Sequence, residues 1–530
     1  MPKTVMIVSS VDERFKKTLP PVRNAEKGMI KKRTSDVVLK KVSFNRKKRV
    51  AREILQDFAD SSSVHGMKYL LSQTLNTSCL GRSLWICTMI AAIIGVDTMI
   101  KTFWQYLEEN PVNLYIDSLH APIFLAAFPA VSICPNLPTT VKRQYELLNS
   151  IKLPENMTTE EAMVFLKHGT SMLFNKEYLA RLDLLLQENQ WRLVDFLRLL
   201  KPCEDMIDSC WWHGKRINCT DHIKQTHAYN GICCSFNYYL EDVIKYNKEF
   251  RKIPVIHTAR SGPKSGLTVI FDRDLFAEDN STGDVNSNFV NSIKLLIFVH
   301  HSASYPNAET VGYTLQKGQG LRLSVQPSIM MIPSNVAHGY LNGTLQPMCI
   351  PNSQKSELRF FPEYRHSNCF ANCRITNLLD TCGCIRYLYA PMANYSQVPL
   401  CELPDFKCVF NFARNKAMVN YENCYCLRLC EDLTYQSTTT KYSLEASSRV
   451  ALSPIFKNLS NGQAALSVHM KMDTFKIYRT EASFNYWNTL ADIGGIFSLC
   501  LGCSILSAVE IVYFIYLFCR AICTKKRIYN

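Results

Sequence analysis

The sequence lacks three motifs that mark common enzyme classes. It has no G-x-S-x-G, no H-E-x-x-H and no Walker loop, which removes the usual signatures of acyl-transfer, zinc-protease and nucleotide chemistry. It has no low-complexity tract and no 20–50-residue repeat, which excludes a solenoid. It also lacks net charge through its middle. The 530 residues carry +15, but residues 1–82 hold 18 Lys/Arg against 7 Asp/Glu, and 520–530 add four basic residues and no acid. Residues 83–519 are therefore neutral, so the charge does not coat a folded surface as in a nucleic-acid binder.

The charge flanks two apolar runs instead. The first is Leu84–Val96, lengthened by DTMIKTFW; the second is Ile493–Val509, continued past Glu510 by IVYFIYLFC. About 20 mostly apolar residues cross a bilayer, and the second run reaches that length. The first reaches it if Asp97 and Lys101 lie near an interface. A signal peptide would need a leading region of over 80 residues, far too long. Basic residues precede the first run and follow the second, so the positive-inside rule makes both termini cytosolic and 105–487 external. The organisation expected is a basic cytosolic tail (1–82), a first span (83–104), an external domain (105–487), a second span (488–519) and a short basic tail (520–530). The first tail, with KKR at 31–33 and RKKR at 46–49, reads as a solvated segment touching anionic lipid.

Of 22 cysteines, 16 fall in the external region, an even number for an oxidising compartment and enough for eight disulfides. Cys382-x-Cys384 and Cys424-x-Cys426 have poor zinc spacing, and no metal site is expected. Cys79, Cys87, Cys500, Cys503, Cys519 and Cys523 lie in or beside the apolar runs and read as free thiols. N-x-[ST] sequons stand externally at Asn156, Asn218, Asn280, Asn342, Asn394 and Asn458; Asn76 is on the cytosolic side and is expected to stay unmodified.

Periodicity gives an α+β external region. Residues 139–202 read as helical, with Thr158/Thr159 and Glu161 as a cap and Pro202 as the stop. Residues 253–350 are β-rich, 367–430 are helical again, and 471–484 alternate as a last strand. His300-His301 ends an apolar strand and reads as structural rather than metal-binding.

The second run is the most informative. Taken as one α-helix, Asp492 and Glu510 are five turns apart on one face, about 27 Å from each other. Gly494, Gly495, Ser498, Gly502, Cys503, Ser504, Ser507 and Ala508 make one side small, which suits close helix approach. Glycines that break the helix would void that shared face. Intramembrane carboxylates usually face water or a pathway, and several copies around an axis would turn them into acidic rings that attract cations.

Several motifs then occur in one order: His65-Gly66; Phe128-Pro-Ala-Val-Ser-Ile-Cys134; Gly231-Ile-Cys233-Cys234-Ser-Phe-Asn237; Cys369-x₃-Cys373-x₈-Cys382-x-Cys384; Cys424-x-Cys426-x₃-Cys430; and Leu490-Ala-Asp-Ile-Gly-Gly with Leu501-Gly-Cys-Ser-Ile-Leu and Glu510. From about residue 60 to 520 the chain resembles the degenerin/epithelial sodium channel family, most of all its insect pickpocket branch. The resemblance implies a membrane protein with two transmembrane helices flanking a large disulfide-rich α+β domain of palm, knuckle, finger, thumb and β-ball. It implies a homo- or heterotrimer in the plasma membrane conducting Na+ and blocked by amiloride, with no cofactor and no nucleic-acid partner. Gly502, Cys503 and Ser504 align with its selectivity belt, where Ala is commoner than Cys in the middle. Asp492 and Glu510 align with its pore carboxylates, and Ala491, His65 and Gly66 with gating positions. It implies the pairs Cys134–Cys233, Cys210–Cys219, Cys349–Cys430, Cys369–Cys426, Cys373–Cys424, Cys382–Cys408 and Cys384–Cys401, which leaves Cys203 to Cys234. A non-conducting accessory subunit would share every motif, and a two-span ectoenzyme would share the topology. The opening stimulus is not written in the sequence.

Overall fold

A computed structural model of the protein describes residues 49–71, 78–110, 112–135, 139–169, 175–246, 253–276, 294–334, 336, 338–341, 344–352, 358–414, 424–444, 454–456 and 459–523. Among the sequence readings, the basic runs in 1–48 and 524–530 and the sequons Asn76, Asn280, Asn342 and Asn458 lie outside these residues, as does the Cys523 side chain. The chain divides into two compact units: both chain ends, 1–109 and 484–530, form one, and 110–483 form the other.

In the unit of 110–483, the described residues include 17 strands, which form two large sheets and two small ones. The five-stranded sheet comprises β2 (Ala130–Pro135), β5 (Ile223–Ala228), β6 (Gly231–Phe236), β8 (Lys294–His300) and β9 (Gly312–Gln316), in the order β5-β6-β2-β8-β9. Every pairing in it is antiparallel. The eight-stranded sheet comprises β1 (Val112–Pro122), β3 (Ile207–Trp212), β4 (Lys215–Ile217), β7 (Leu267–Phe271), β10 (Gln319–Met331), β15 (Glu431–Ser443), β16 (Ala464–Met470) and β17 (Thr474–Ala482). The small sheets pair β11 (His338–Leu341) with β12 (Thr344–Pro347), and β13 (Cys349–Ile350) with β14 (Arg428–Leu429).

The long strand β10 organises the larger sheet. It pairs antiparallel with all 13 residues of β15, and parallel with β16 and then β17. Its neighbour β16, AALSVHM, is buried at every position, as a strand covered on both faces must be. Leu321, Leu323, Val325, Leu466 and Val468 of this sheet share one core with Val131, Ile133, Leu295 and Ile297 of the five-stranded sheet. Gly266 precedes β7, and a β-carbon there would overlap the Val468 carbonyl. His300 ends β8 with its ring buried, its Nε2 2.8 Å from the Ser132 hydroxyl. Burial depresses its pKa to about 4, so it packs as a neutral ring.

The segment 139–202 forms four helices, numbered here within this unit: α1 (Val141–Ser150), α2 (Thr159–His168), α3 (Lys176–Glu188) and α4 (Leu193–Leu200). Thr158 caps α2 in a full capping box, accepting from the Glu161 amide while the Glu161 carboxylate accepts from the Thr158 amide. After β6 comes α5 (Leu240–Tyr246), and the cysteine-rich stretch supplies α6 (His366–Cys382), α7 (Ala390–Ser396) and α8 (Phe406–Arg414). Eight disulfides join Cys134–Cys233, Cys203–Cys234, Cys210–Cys219, Cys349–Cys430, Cys369–Cys426, Cys373–Cys424, Cys382–Cys408 and Cys384–Cys401. Both C-x-C pairs are thereby consumed as disulfides and leave no thiolate for zinc.

In the other unit, Cys79–Glu109 is one 31-residue apolar helix, long enough to cross a membrane. Residues 49–61 of the basic tail are helical, because Val50, Ile54 and Phe58 recur at i, i+4 and i+8 and give the segment an apolar stripe. One reading is corrected here. The second apolar run is not one continuous helix. It is Tyr486–Leu501 and Ile505–Cys523, bent by 72° at the break, so Asp492 and Glu510 lie on separate helices and the shared face is void.

The bridges differ in what they constrain. Cys373–Cys424 is a rung nested inside Cys369–Cys426 and Cys349–Cys430, so its loop is already closed when it is lost. Cys134–Cys233 closes 99 residues and has no such parallel rung. Replacing Cys134 and Cys233 together by Ala is expected to cost about 2–5 kcal/mol. Replacing Cys373 and Cys424 together is expected to cost distinctly less. Thermal unfolding of the purified variants measures the difference; equal losses would contradict the nested-loop argument.

Candidate functional site

The break begins with local backbone chemistry. The Asn485 side chain caps the first half-helix by accepting from the Trp487 amide at 3.1 Å. That half ends at Gly502, whose φ of 65° is left-handed. The Gly502 amide folds back to the Ser498 carbonyl at 2.9 Å, and the Cys503 amide to Phe497 at 3.4 Å. Ser504 then starts the second half. Its hydroxyl accepts from the Ser507 amide at 3.3 Å, while the Ser507 hydroxyl accepts from the Ser504 amide at 3.0 Å. This reciprocal pair satisfies amides that a helix start leaves open.

The His65-Gly66 pair is seated at this break. The His65 amide donates to the Leu501 carbonyl at 3.1 Å, and its imidazole lies where a β-carbon on Gly502 would be. Gly66 has φ 89°, and a β-carbon on it would stand 2.9 Å from Met89 Sδ of the Cys79–Glu109 helix. Tyr69 stacks on Trp85 of that same helix with centroids 4.6 Å apart.

Glu510 lies one turn and a half into the second half-helix. Its Oε2 accepts from the Ser63 hydroxyl at 2.9 Å and the Ser63 amide at 3.2 Å. The Ser63 hydroxyl also lies 2.6 Å from that of Ser507, which is 1% exposed. Phe58 meets Phe514 edge-on at 5.1 Å, holding the 49–61 helix to the second half. The carboxylate is thus satisfied by hydroxyl and amide donors rather than by a cation.

The structure therefore brings Gly502, Ser504, Glu510, His65 and Gly66 into one cluster. Cys503 joins them as a half-buried free thiol, its Sγ 3.8 Å from the Leu501 carbonyl. Ala491 and Asp492 stand elsewhere, exposed on the first half-helix. Cys79, Cys87, Cys500 and Cys519 are also free. Three of the sequons, Asn156, Asn218 and Asn394, are exposed. Among the described residues no group of three His, Cys, Asp or Glu is placed to hold a metal. Sequence reasoning missed Ser63 and the partner role of Ser507. The only available signal for Ser63 was its place two residues before His65.

An apolar helix, a second apolar segment broken at a glycine, and a disulfide-bridged α+β unit between them are the components of an ion-channel subunit. The amiloride-sensitive sodium channel model matches residues 58–514, most of the chain. The chain belongs to that family, the degenerin/epithelial sodium channels. It is 25% identical to the sodium channel protein Nach of Drosophila melanogaster over 87% of each chain. It is 22% identical to pickpocket protein 11 of the same fly over 86% of this chain and 74% of that one. It is 22% identical to the human bile acid-sensitive ion channel over 87% and 85%. The family and these relatives are channels, not enzymes.

Ser63→Ala removes one of the two donors to Glu510, a bond to a charged group worth about 1.5–3 kcal/mol. Ser63→Thr keeps the hydroxyl. Whole-cell current normalised to surface protein is expected to fall several-fold in the first and hold in the second. Equal behaviour of the two would show that the hydroxyl does not matter.

Proposed function

We propose that the protein is a subunit of a trimeric, sodium-selective, amiloride-sensitive cation channel of the plasma membrane. Both termini are cytosolic and 110–483 are extracellular in this reading. The observation that carries it is the helix break at Gly502-Cys503-Ser504 with the His65-Gly66 pair packed on it. Non-helical backbone at membrane depth is tolerated only against protein or water. A broken segment that is capped at both ends and backed by a second chain segment is therefore suited to face a water-filled path. Three copies around an axis would make a narrow belt of small residues, with rings of Asp492 and Glu510 drawing in cations.

The direct test is expression in oocytes, alone and with sibling subunits, under a panel of stimuli. An inward current carried by Na+, lost when Na+ is replaced by a large organic cation and blocked by amiloride, is expected. No current alone, with an altered current in mixtures, would instead identify an accessory subunit. A water-soluble thiol reagent should reduce the current through Cys503, since a thiol must meet water to react. The Cys503→Ala channel should conduct and resist it; equal sensitivity would place that thiol outside the path.

The gate gives a further test. Ala491 immediately precedes Asp492, and a closed three-helix gate requires small side chains. A bulky Phe would crowd the closed packing more than the open one, and only such a difference shifts a two-state equilibrium. A penalty of about 3 kcal/mol would move the ratio by about 150-fold. Ala491→Phe is expected to give a persistent amiloride-sensitive current without stimulus, measured with a conducting subunit present. Normal surface expression and no rise in resting current would refute it.

A further inference from the structure

One cleft in the unit of 110–483 carries its own occupant in the sequence. It lies between α5, α7 and β5 and encloses about 540 Å³, within the range of about 300–1,000 Å³ typical of small-ligand sites. Its wall includes Asn394, the acceptor of the sequon Asn394-Tyr395-Ser396. The Asn394 side chain is exposed. Beside it in the wall stands Tyr395, a large aromatic left 40% exposed. Across the cleft are Glu241 and Lys245 of α5 and Lys224 of β5, the last paired with Asp242 at 3.0 Å. Glu241 already accepts from the His227 backbone amide at 2.6 Å, so the wall offers a hydroxyl-rich ring the Lys245 ammonium as a donor and the Tyr395 ring for its apolar CH face.

We propose that Asn394 is N-glycosylated and that its first sugars lie in this cleft, bridging α7 to α5 and β5. This rests on the extracellular placement of 110–483 proposed above. In the modification, Asn394 Nδ2 bonds to the anomeric carbon of a lipid-diphosphate-linked oligosaccharide. The bond from that carbon to the diphosphate oxygen breaks, the lipid diphosphate leaves, and the amide gives up one proton. The other exposed sequons stand elsewhere: Asn218 Oδ1 accepts from its own Thr220 hydroxyl at 3.1 Å, and the backbone carbonyl of Asn156 accepts from Arg181 at 2.6 Å. Neither borders this cleft, and Asn218 adjoins Cys219 and Thr220 in the wall of a separate one.

The test is site-resolved mass spectrometry of the full-length protein, with peptide-N-glycosidase applied before and after denaturation. Sugar at Asn394 is expected to resist the native digestion at least tenfold longer than sugar at Asn156, and to be released on denaturation. Tyr395→Ala, which keeps the sequon, should raise native release from Asn394 at least fivefold. Sugar at Asn156 or Asn218 with none at Asn394 overturns the proposal while leaving the topology intact. Native release from Asn394 as fast as from Asn156 overturns the docking. Bare asparagine at all three overturns the proposal together with the extracellular placement.

Discussion

At Gly502 an apolar helix turns left-handed, and the imidazole of His65 occupies the space a side chain would need. Two independent demands meet at that one residue. The backbone angle disfavours any L side chain, and the contact excludes even a methyl group. Once the helix turns there, its last amides must fold back and its successor needs a new start, which Ser504 and Ser507 supply with each other's hydroxyls. The Leu501 carbonyl, freed by the break, is taken by the His65 amide. Glycine, capping serines and the His-Gly pair are thus one solution to a single problem: ending a helix where open backbone groups are costly.

The same economy applies to the carboxylate. A charge in an apolar segment must be paired, hydrated or supplied with donors. Glu510 receives two donors from Ser63, both on Oε2. A lysine or arginine in that place would have neutralised the carboxylate instead. The choice of serine as partner, on a segment that also carries the pair at the break, ties the state of the carboxylate to the state of the backbone beside it.

Parts of this were legible in the sequence because their cause is local. The α2 cap needs only Thr158 and Glu161, three residues apart, and alternation alone marks β17. Seven of the disulfide pairs came from family likeness, and Cys203–Cys234 from the two cysteines those pairs leave over. A break at the glycines was open in the sequence as an alternative, but nothing there chose Gly502 as its place. A stripe of Gly, Ser and Ala serves a close helix contact as well as a break, and the deciding contact comes from His65, far earlier in the chain. For the same reason Ser63 was invisible: a serine in a polar run carries no mark of the carboxylate it will meet. The helix at 49–61 was hidden by composition, because its five charged residues outweighed a three-residue apolar stripe.

The two units answer to different solvents. The unit of 110–483 closes its own core: Phe128, Phe271, Leu323 and Val468 have no exposed surface, and eight disulfides limit what the unfolded chain can gain in entropy. The unit of the chain ends does the reverse. Leu80, Leu499, Ile505 and Leu506 are each more than 70% exposed, a pattern no soluble surface sustains in such density. The polar groups at the break are partnered by one another: the Gly502 and Ser504 amides, the Ser507 hydroxyl and the Glu510 carboxylate each find a partner within the unit. Apolar groups turned outward in this number are the inverse of the other unit, and they are the arrangement that a lipid surround would select.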